Sequence, residues 1–328
     1  MVKMISVIIP VRKFSESLPV LDCLKKMDYL QDKIEIIVAE GNFPSLQRNK
    51  AARVACGDIL YFLNFDSCPG SNLFNKVVEI FNRSEDIAGV GGPDLTPKNN
   101  TYLQQTFGLV LSSYFAHWKM RARYSCLGKE RVSNERELIL SNLAIRKDVF
   151  LQFKGFDERF YPNEENEFIN RIVKTGLKFI YSPDAKIYRD RRKTAAAFMK
   201  QFYQYGRGRM RQVSIEGLSK NFLFLLPVFF LFYLTTFAFV KGIWVRLVPL
   251  FIYLFIGIID SIYLSFLNKR VLVFSLPLLY FLMHLSYALG MVSEFIRLLI
   301  RSRPDKKDGI AVKVRKIKSL EDNFAAIS

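Results

Sequence analysis

From about residue 221 to residue 300 the chain is a nearly unbroken run of Phe, Leu, Ile, Val and Tyr with few charges. The residues before it alternate apolar and polar positions like an ordinary soluble protein. Such a chain has to satisfy two solvents. A helix needs about 20 apolar residues to cross a bilayer core of roughly 30 Å. Residues 222–240, 247–267 and 271–292 approach or meet that length, with short polar breaks at 241–246 and 268–270. None of the three keeps the polar face that a helix in water needs. Asp260 and His284 interrupt the second and third stretches. Both are costly in lipid, so they are expected to face protein or a polar cavity.

Charge adds a constraint on topology. The 328 residues carry a formal net charge of +18. Part of the excess lies in residues 186–211, interleaved with Tyr and Phe, and part in the tail after residue 300. Basic residues flanking apolar spans favour the cytosolic side. The expected organisation is a cytosolic domain at 1–215, a transmembrane helical region at 216–300 with about two to four segments, and a basic cytosolic tail at 301–328. An even number of crossings would put domain and tail on one face. Residues 1–10 form a short β-like run, not a signal peptide. The expected location is therefore the plasma membrane, multi-pass, with the first domain in the cytosol. Nucleic acid is excluded as a partner because the excess charge sits beside apolar spans. Anionic lipid or a pyrophosphate suits it better. The four cysteines show no CxxC spacing and are expected to be reduced. With only His117 and His284 as imidazoles, any metal should be a hard cation on oxygen ligands.

The first half alternates short β-branched runs (5–10, 34–38, 59–63, 87–92) with helical periodicity, which predicts an α/β domain with a mostly parallel sheet. Ligands of such sheets bind beyond the carboxyl ends of the strands. Glu40 and Asp66 fall at two such ends. Residues 107–124 read either as a basic amphipathic segment on a membrane surface or as a core-facing helix with a solvated end. Glu164, Glu165 and Glu167 crowd three carboxylates into four residues of a basic protein. One reading has Asn163 capping a helix whose acidic first turn suits the helix dipole. The other has the carboxylates serving a metal, a cationic partner or a proton transfer.

Taken together and in order, these motifs resemble inverting family 2 glycosyltransferases of the nucleotide-binding GT-A type. More narrowly, they are similar to the membrane-anchored members that build bacterial and archaeal surface polysaccharides. The resemblance rests on Ser6-Val7-Ile8-Ile9-Pro10, on the strand ending Glu40-Gly41, on Arg48-Asn49-Lys50-Ala51, and on Asn64-Phe65-Asp66 in the place of an Asp-x-Asp. It continues through Ser141 to Arg146, Gly155-Phe156-Asp157-Glu158, the run from Glu164 to Arg171, and Tyr205-Gly206-Arg207-Gly208-Arg209. It implies sugar transfer from a nucleotide sugar, a UDP-sugar foremost, to a lipid-linked or glycolipid acceptor at the cytosolic membrane face, in cell-surface glycan synthesis.

By that resemblance Pro10, Glu40, Arg48, Asn64 and Asp66 serve the donor, and Asp66 with Asn64 holds a divalent Mg or Mn. Glu165 is the catalytic base. Asn142, Glu164, Arg171, Arg207 and Arg209 serve the acceptor or a phosphate. Three positions depart from the family pattern: Glu40 and Glu165 each stand where Asp is usual, and Asn64 replaces the first metal-motif Asp. An amide oxygen brings no charge, so weaker metal affinity is expected. The rival reading is a non-catalytic, membrane-anchored nucleotide-binding or assembly protein of the same fold.

Overall fold

The structure is a computed structural model, and it describes residues 2–15, 17–217, 222–237, 239, 241–269, 271, 274–300 and 311–317. In chain order the elements begin with β1 (Ile5–Val11), α1 (Pro19–Leu24), β2 (Ile34–Glu40), α2 (Pro44–Val54), β3 (Ile59–Leu63), β4 (Ser67–Pro69), α3 (Leu73–Phe81), β5 (Ile87–Gly91) and β6 (Asp94–Leu95). Next come α4 (Tyr102–Ser112), α5 (Tyr114–His117), β7 (Arg131–Ser133), β8 (Asn142–Arg146), α6 (Lys147–Gln152), α7 (Glu164–Val173), β9 (Lys178–Tyr181) and β10 (Ile187–Arg189). The chain continues through α8 (Ala195–Glu216), α9 (Leu226–Thr236), α10 (Ile243–Asn268), α11 (Ser275–Ile300) and β11 (Lys313–Ile317). They divide into two units: Met1–Pro97 with Ala122–Asp190 and Lys306–Ser328, and Lys98–Arg121 with Arg191–Asp305.

The first unit is built on an eight-stranded sheet in the order β11-β2-β1-β3-β8-β5-β9-β7. Pairings β1–β2, β1–β3 and β5–β9 are parallel; β2–β11, β3–β8, β5–β8 and β7–β9 are antiparallel. The α/β class is as expected, but the sheet is mixed and not mostly parallel. Strict strand-helix alternation ends after β5, and β8 returns between β3 and β5 against both. A second, three-stranded sheet runs β4-β10-β6.

Both faces of the main sheet are covered, as buried β-branched strands require. Successive side chains of a strand leave opposite faces. Ile5, Val7 and Ile9 thus enter one core with Leu21, Leu24, Phe74 and Val77 of α1 and α3. Ile8, Leu60 and Phe62 enter the other with Ala51, Ala52, Phe168 and Ile172 of α2 and α7. Cys23 of α1 and Cys68 of β4 are joined as a disulfide, which corrects the expectation of reduced thiols. Spacing in sequence could not reveal that pair, because the turn after β3 brings it together.

In the second unit, α10 and α11 are 26 residues each and apolar enough to cross a membrane, while the apolar stretch Phe222–Thr236 is shorter. At 1.5 Å per residue each long helix spans about 39 Å. Asp260 is buried and accepts hydrogen bonds from Ser113 (2.7 Å) and Tyr280 (2.5 Å). His284 Nδ1 meets the Tyr253 hydroxyl at 2.9 Å. Both polar groups therefore face protein, as expected. α8 and α11 cross closely at two glycines. A β-carbon on Gly206 would lie 2.0 Å from Tyr287 O, and one on Gly290 would lie 2.0 Å from Tyr203 O. Residues 107–124 form α4, α5 and a 3-10 turn (Trp118–Arg123) in place of one amphipathic helix. Of the expected tail, residues 301–310 and 318–328, with Arg301, Arg303, Lys306, Lys307 and Lys318, lie outside the described residues. The part between them is β11.

Candidate active site

Three parallel strands end together. Val11 of β1 is in register with Glu40 of β2, and β3 beside β1 runs into Asn64 and Asp66. α2 is fastened to this edge from within. Gln47 Nε2 donates to Val11 O (2.8 Å) and Ala39 O (2.5 Å). The carboxyl edge therefore carries Pro10, Glu40, Asn64 and Asp66, all half-buried.

α2 also positions the acidic helix. Asn49 donates to Phe156 O (2.8 Å) and accepts from Phe156 N (2.9 Å), and Ser45 donates to Phe160 O (2.8 Å). Gly155 sits at φ +70°, and a β-carbon there would come within 2.5 Å of Asn49 Oδ1, so glycine is required by conformation and by space. The chain then reaches Asn163 at φ 91°, a left-handed residue whose side chain makes no cap. The expected Asn163 side-chain cap is absent; the acidic first turn at the start of α7 is present.

Each carboxylate of that turn has its own arginine. Arg48 Nη1 donates to Glu164 Oε1 at 2.8 Å, with both side chains almost fully buried. Arg123 Nη1 lies 3.7 Å from Glu165 Oε1, also buried. Arg171 pairs with Glu167 at 2.7 Å, one helical turn along. Three like charges are thus tolerated because each is neutralised locally. They are not equivalent. Glu164 and Glu167 accept short, charge-assisted hydrogen bonds. Glu165 has only the long Arg123 contact and makes no hydrogen bond among the described residues.

The remaining expected residues fall into two groups. Asp66 has a carboxylate oxygen, Oδ1, that is buried and has no hydrogen-bond partner among the described residues. A buried, unsatisfied carboxylate oxygen fits a hard divalent cation, and Mg2+ commonly takes one or two protein carboxylates with the rest from water and substrate phosphate. No cluster of three His, Cys, Asp or Glu able to hold a metal occurs among the described residues. Asn64 is different: its Oδ1 accepts from Arg48 Nη2 at 3.3 Å. Its amide oxygen is thus engaged by a guanidinium, whereas Asp66 Oδ1 has no partner among the described residues.

Asn142 is fully buried in β8. It accepts from the Tyr61 hydroxyl (2.6 Å) and donates to Pro93 O (3.2 Å) and Ala185 O (2.7 Å). These bonds tie β8 to β3 and to the backbone at residues 93 and 185. Arg171 likewise ties Glu167 to Gly155 O (2.9 Å) and to Phe153 O. In the helical unit, Arg207 pairs with the buried Glu294 at 2.8 Å, alongside Arg211 and Arg297. Arg209 is buried, donates to Gln212 (2.8 Å) and stacks on Phe224. Both side chains have partners within that unit.

Arg123 is the site residue that sequence reading missed. It lies in the 107–124 segment, read either as a membrane-surface segment or as a core-facing helix with a solvated end, yet it is buried, with Nη2 donating to Asn166 Oδ1 at 2.6 Å.

A mixed sheet covered on both faces, carrying an acidic motif at its carboxyl edge and a second acidic turn on α7, is a fold of GT-A type. The family model described as glycosyl transferase family group 2 matches residues 59–296, and the chain belongs to that family. A curated relative from Methanococcus voltae, a dolichyl N-acetyl-alpha-D-glucosaminyl phosphate 3-beta-D-2,3-diacetamido-2,3-dideoxy-beta-D-glucuronosyltransferase, is 23% identical over 89% of this chain and 97% of its own length. A glucosyl-dolichyl phosphate glucuronosyltransferase from Haloferax volcanii is 22% identical over 44% of this chain and 46% of its own. Among solved structures, a mannosyltransferase from Pyrobaculum calidifontis in complex with GDP-Man and Mn2+ aligns over 89% of this chain and 87% of its own. Its TM-score is 0.58 at 13% identity, a likeness of fold.

Proposed function

We propose that this glycosyltransferase moves a sugar from a nucleoside diphosphate donor to a sugar carried on a dolichyl-phosphate-type lipid, with inversion at the anomeric carbon, at the cytosolic face of the membrane. The observation that carries the reading is the inequality within the acidic turn: Glu164 and Glu167 are hydrogen-bonded to arginine, and Glu165 is not. The acceptor and sugar class rest on the names of the two curated relatives, both of which transfer a glucuronosyl-type residue to a dolichyl-linked sugar. The apolar helices α10 and α11 suit an enzyme whose acceptor lies in lipid.

In this reading Glu165 takes the proton of the acceptor hydroxyl as its oxygen bonds to the anomeric carbon. The bond from that carbon to the diphosphate breaks on the opposite side, which inverts the centre. Arg123 holds the Glu165 carboxylate in place, and the Arg48–Glu164 pair fixes α7 to the strand end at Asn64. Glu40 and Pro10 line the base end of the donor site. A divalent ion held by Asp66, when bound, would supply charge to offset the departing diphosphate. The sugar product fits cell-surface glycan synthesis.

The test is a donor screen on washed membranes containing the full chain, with UDP-, GDP- and dTDP-sugars, uronic acids included, and a dolichyl-phosphate-linked monosaccharide as acceptor. Mass spectrometry should find the acceptor extended by one residue. Absence of both transfer and donor hydrolysis with every donor would overturn the reading in favour of a non-catalytic module.

A further inference from the structure

The tail returns to the eight-stranded sheet. β11 pairs antiparallel with β2, and Lys313, its first residue, stands directly opposite Glu40, the last residue of β2. Directly opposed residues send their side chains to the same face, with β-carbons about 5 Å apart. Next to them, Val312 lies against the position a Gly41 side chain would take. The strand is anchored further along: Lys316 Nζ donates to Glu35 Oε1 (2.8 Å), and Glu35 Oε2 accepts from Ser6 Oγ (2.5 Å) and Cys56 N (2.8 Å). Lys313 and Glu40 themselves have no side-chain hydrogen bond or ion pair among the described residues. Lys313 is exposed and Glu40 half-buried. The far end of β11 is thus built for attachment, and its near end presents an unspent cation beside an unspent carboxylate at the carboxyl edge.

We propose that Lys313, carried in by the C-terminal strand, completes the base-recognition end of the donor site and, with Glu40, holds the edge of the nucleobase by one donated and one accepted hydrogen bond. This rests on the reading of Glu40 given above. An ammonium only donates and a carboxylate only accepts. Side by side they match uracil, thymine or guanine, each of which offers a carbonyl oxygen next to a ring N–H. Cytosine and adenine offer an unprotonated ring nitrogen, which accepts, next to an amino group, which donates, so the pair suits their edges as well; what it requires is an acceptor beside a donor, which a base edge has and pyrophosphate lacks.

The test uses the full chain in detergent, with UDP, GDP, CDP, ADP and inorganic pyrophosphate as probes in the presence of Mn2+, read by isothermal titration calorimetry. The wild type should bind at least one of the four nucleotides more tightly than pyrophosphate. Lys313→Met should weaken the preferred nucleotide about tenfold, the size of one charge-assisted hydrogen bond, and leave pyrophosphate unchanged. Lys313→Arg should restore most of the loss. Unchanged affinity for the preferred nucleotide in Lys313→Met overturns the proposal. Failure of the functional reading looks different: the wild type would then bind none of the nucleotides. If only this inference fails, Glu40→Gln weakens nucleotide binding while Lys313→Met does not.

Discussion

Arg48 and Glu164, 116 residues apart in sequence, meet in a 2.8 Å ion pair that is almost sealed from water. The pair joins α2, which is fastened to the strand ends, to the first turn of α7, and the same guanidinium reaches Asn64. A buried pair is costly to half-remove, because the surviving charge is left without solvent or partner. Glu164→Gln should therefore destabilise the first unit by about 3–5 kcal/mol, and the Arg48→Met/Glu164→Leu double variant should recover much of it. Thermal midpoints of the purified protein would decide. A single variant as stable as the wild type would mean that the pair does not hold the two elements together.

Glu165→Gln should lower turnover about a hundredfold or more while donor affinity is kept. Glu167→Gln should lose far less turnover, since its carboxylate serves Arg171 and the 153–155 backbone. Steady-state rates with donor titrations separate the two. Equal losses in both variants would move the base assignment off Glu165.

Asp66→Ala should abolish the metal dependence of nucleotide binding, because the buried Oδ1 would be gone. Asn64→Ala should retain most of that dependence and instead loosen Arg48. Titrating Mn2+ against GDP or UDP binding in each variant checks both. A larger loss at Asn64 than at Asp66 would reverse the assignment.

The β11 anchor predicts a pH dependence. Burial pushes the Glu35 carboxyl up, but Lys316, Ser6 and the Cys56 amide together hold it below the usual glutamate range. A carboxyl lowered by folding contributes stability that is present above its unfolded pKa and lost as pH falls through the folded one. The thermal midpoint of the wild type should therefore exceed that of Glu35→Gln at neutral pH, with the gap closing below about pH 4. A gap that stays constant down to pH 3 would falsify the Glu35–Lys316 attachment.

In the helical unit, Gly290→Val should prevent α8 and α11 from approaching, since its β-carbon would collide with Tyr203 O. Overpacking of this kind commonly costs about 1–3 kcal/mol and more where backbone is struck. Gly217→Ala has open space around it, although φ +89° adds strain, and should be better tolerated. Size-exclusion profiles in detergent give the comparison.

Much of the catalytic unit was legible because its strands are local and periodic. The alternation of Ile5, Val7 and Ile9 with Ile8, and the placement of Glu40 and Asp66 at strand ends, needed no long-range information. The sheet's antiparallel members were less visible, since β8 enters from far along the chain and pairs on both sides. For the site, residue type alone could not separate an arginine that meets substrate from one that balances a buried carboxylate. Arg171, Arg207 and Arg209, which the resemblance assigns to ligands, each have a partner within the protein, and Arg123, in a segment that reads as either a membrane-surface face or a helix with a solvated end, is buried beside Glu165. Cys23 and Cys68 were unreadable as a pair for the same reason: the turn that joins them is tertiary.

β11 also fixes an order of assembly. A ribosome delivers β1, β2 and β3 early, but the strand that covers the outer edge of β2 emerges only after α10 and α11 have been made. Until then β2, with the apolar sequence IEIIVAE, is an open edge of the kind that recruits strands from other chains. The eight-stranded sheet is thus begun first and finished last. A molecule whose apolar helices went astray would carry an unfinished edge, open to capture by chaperones or by its own copies.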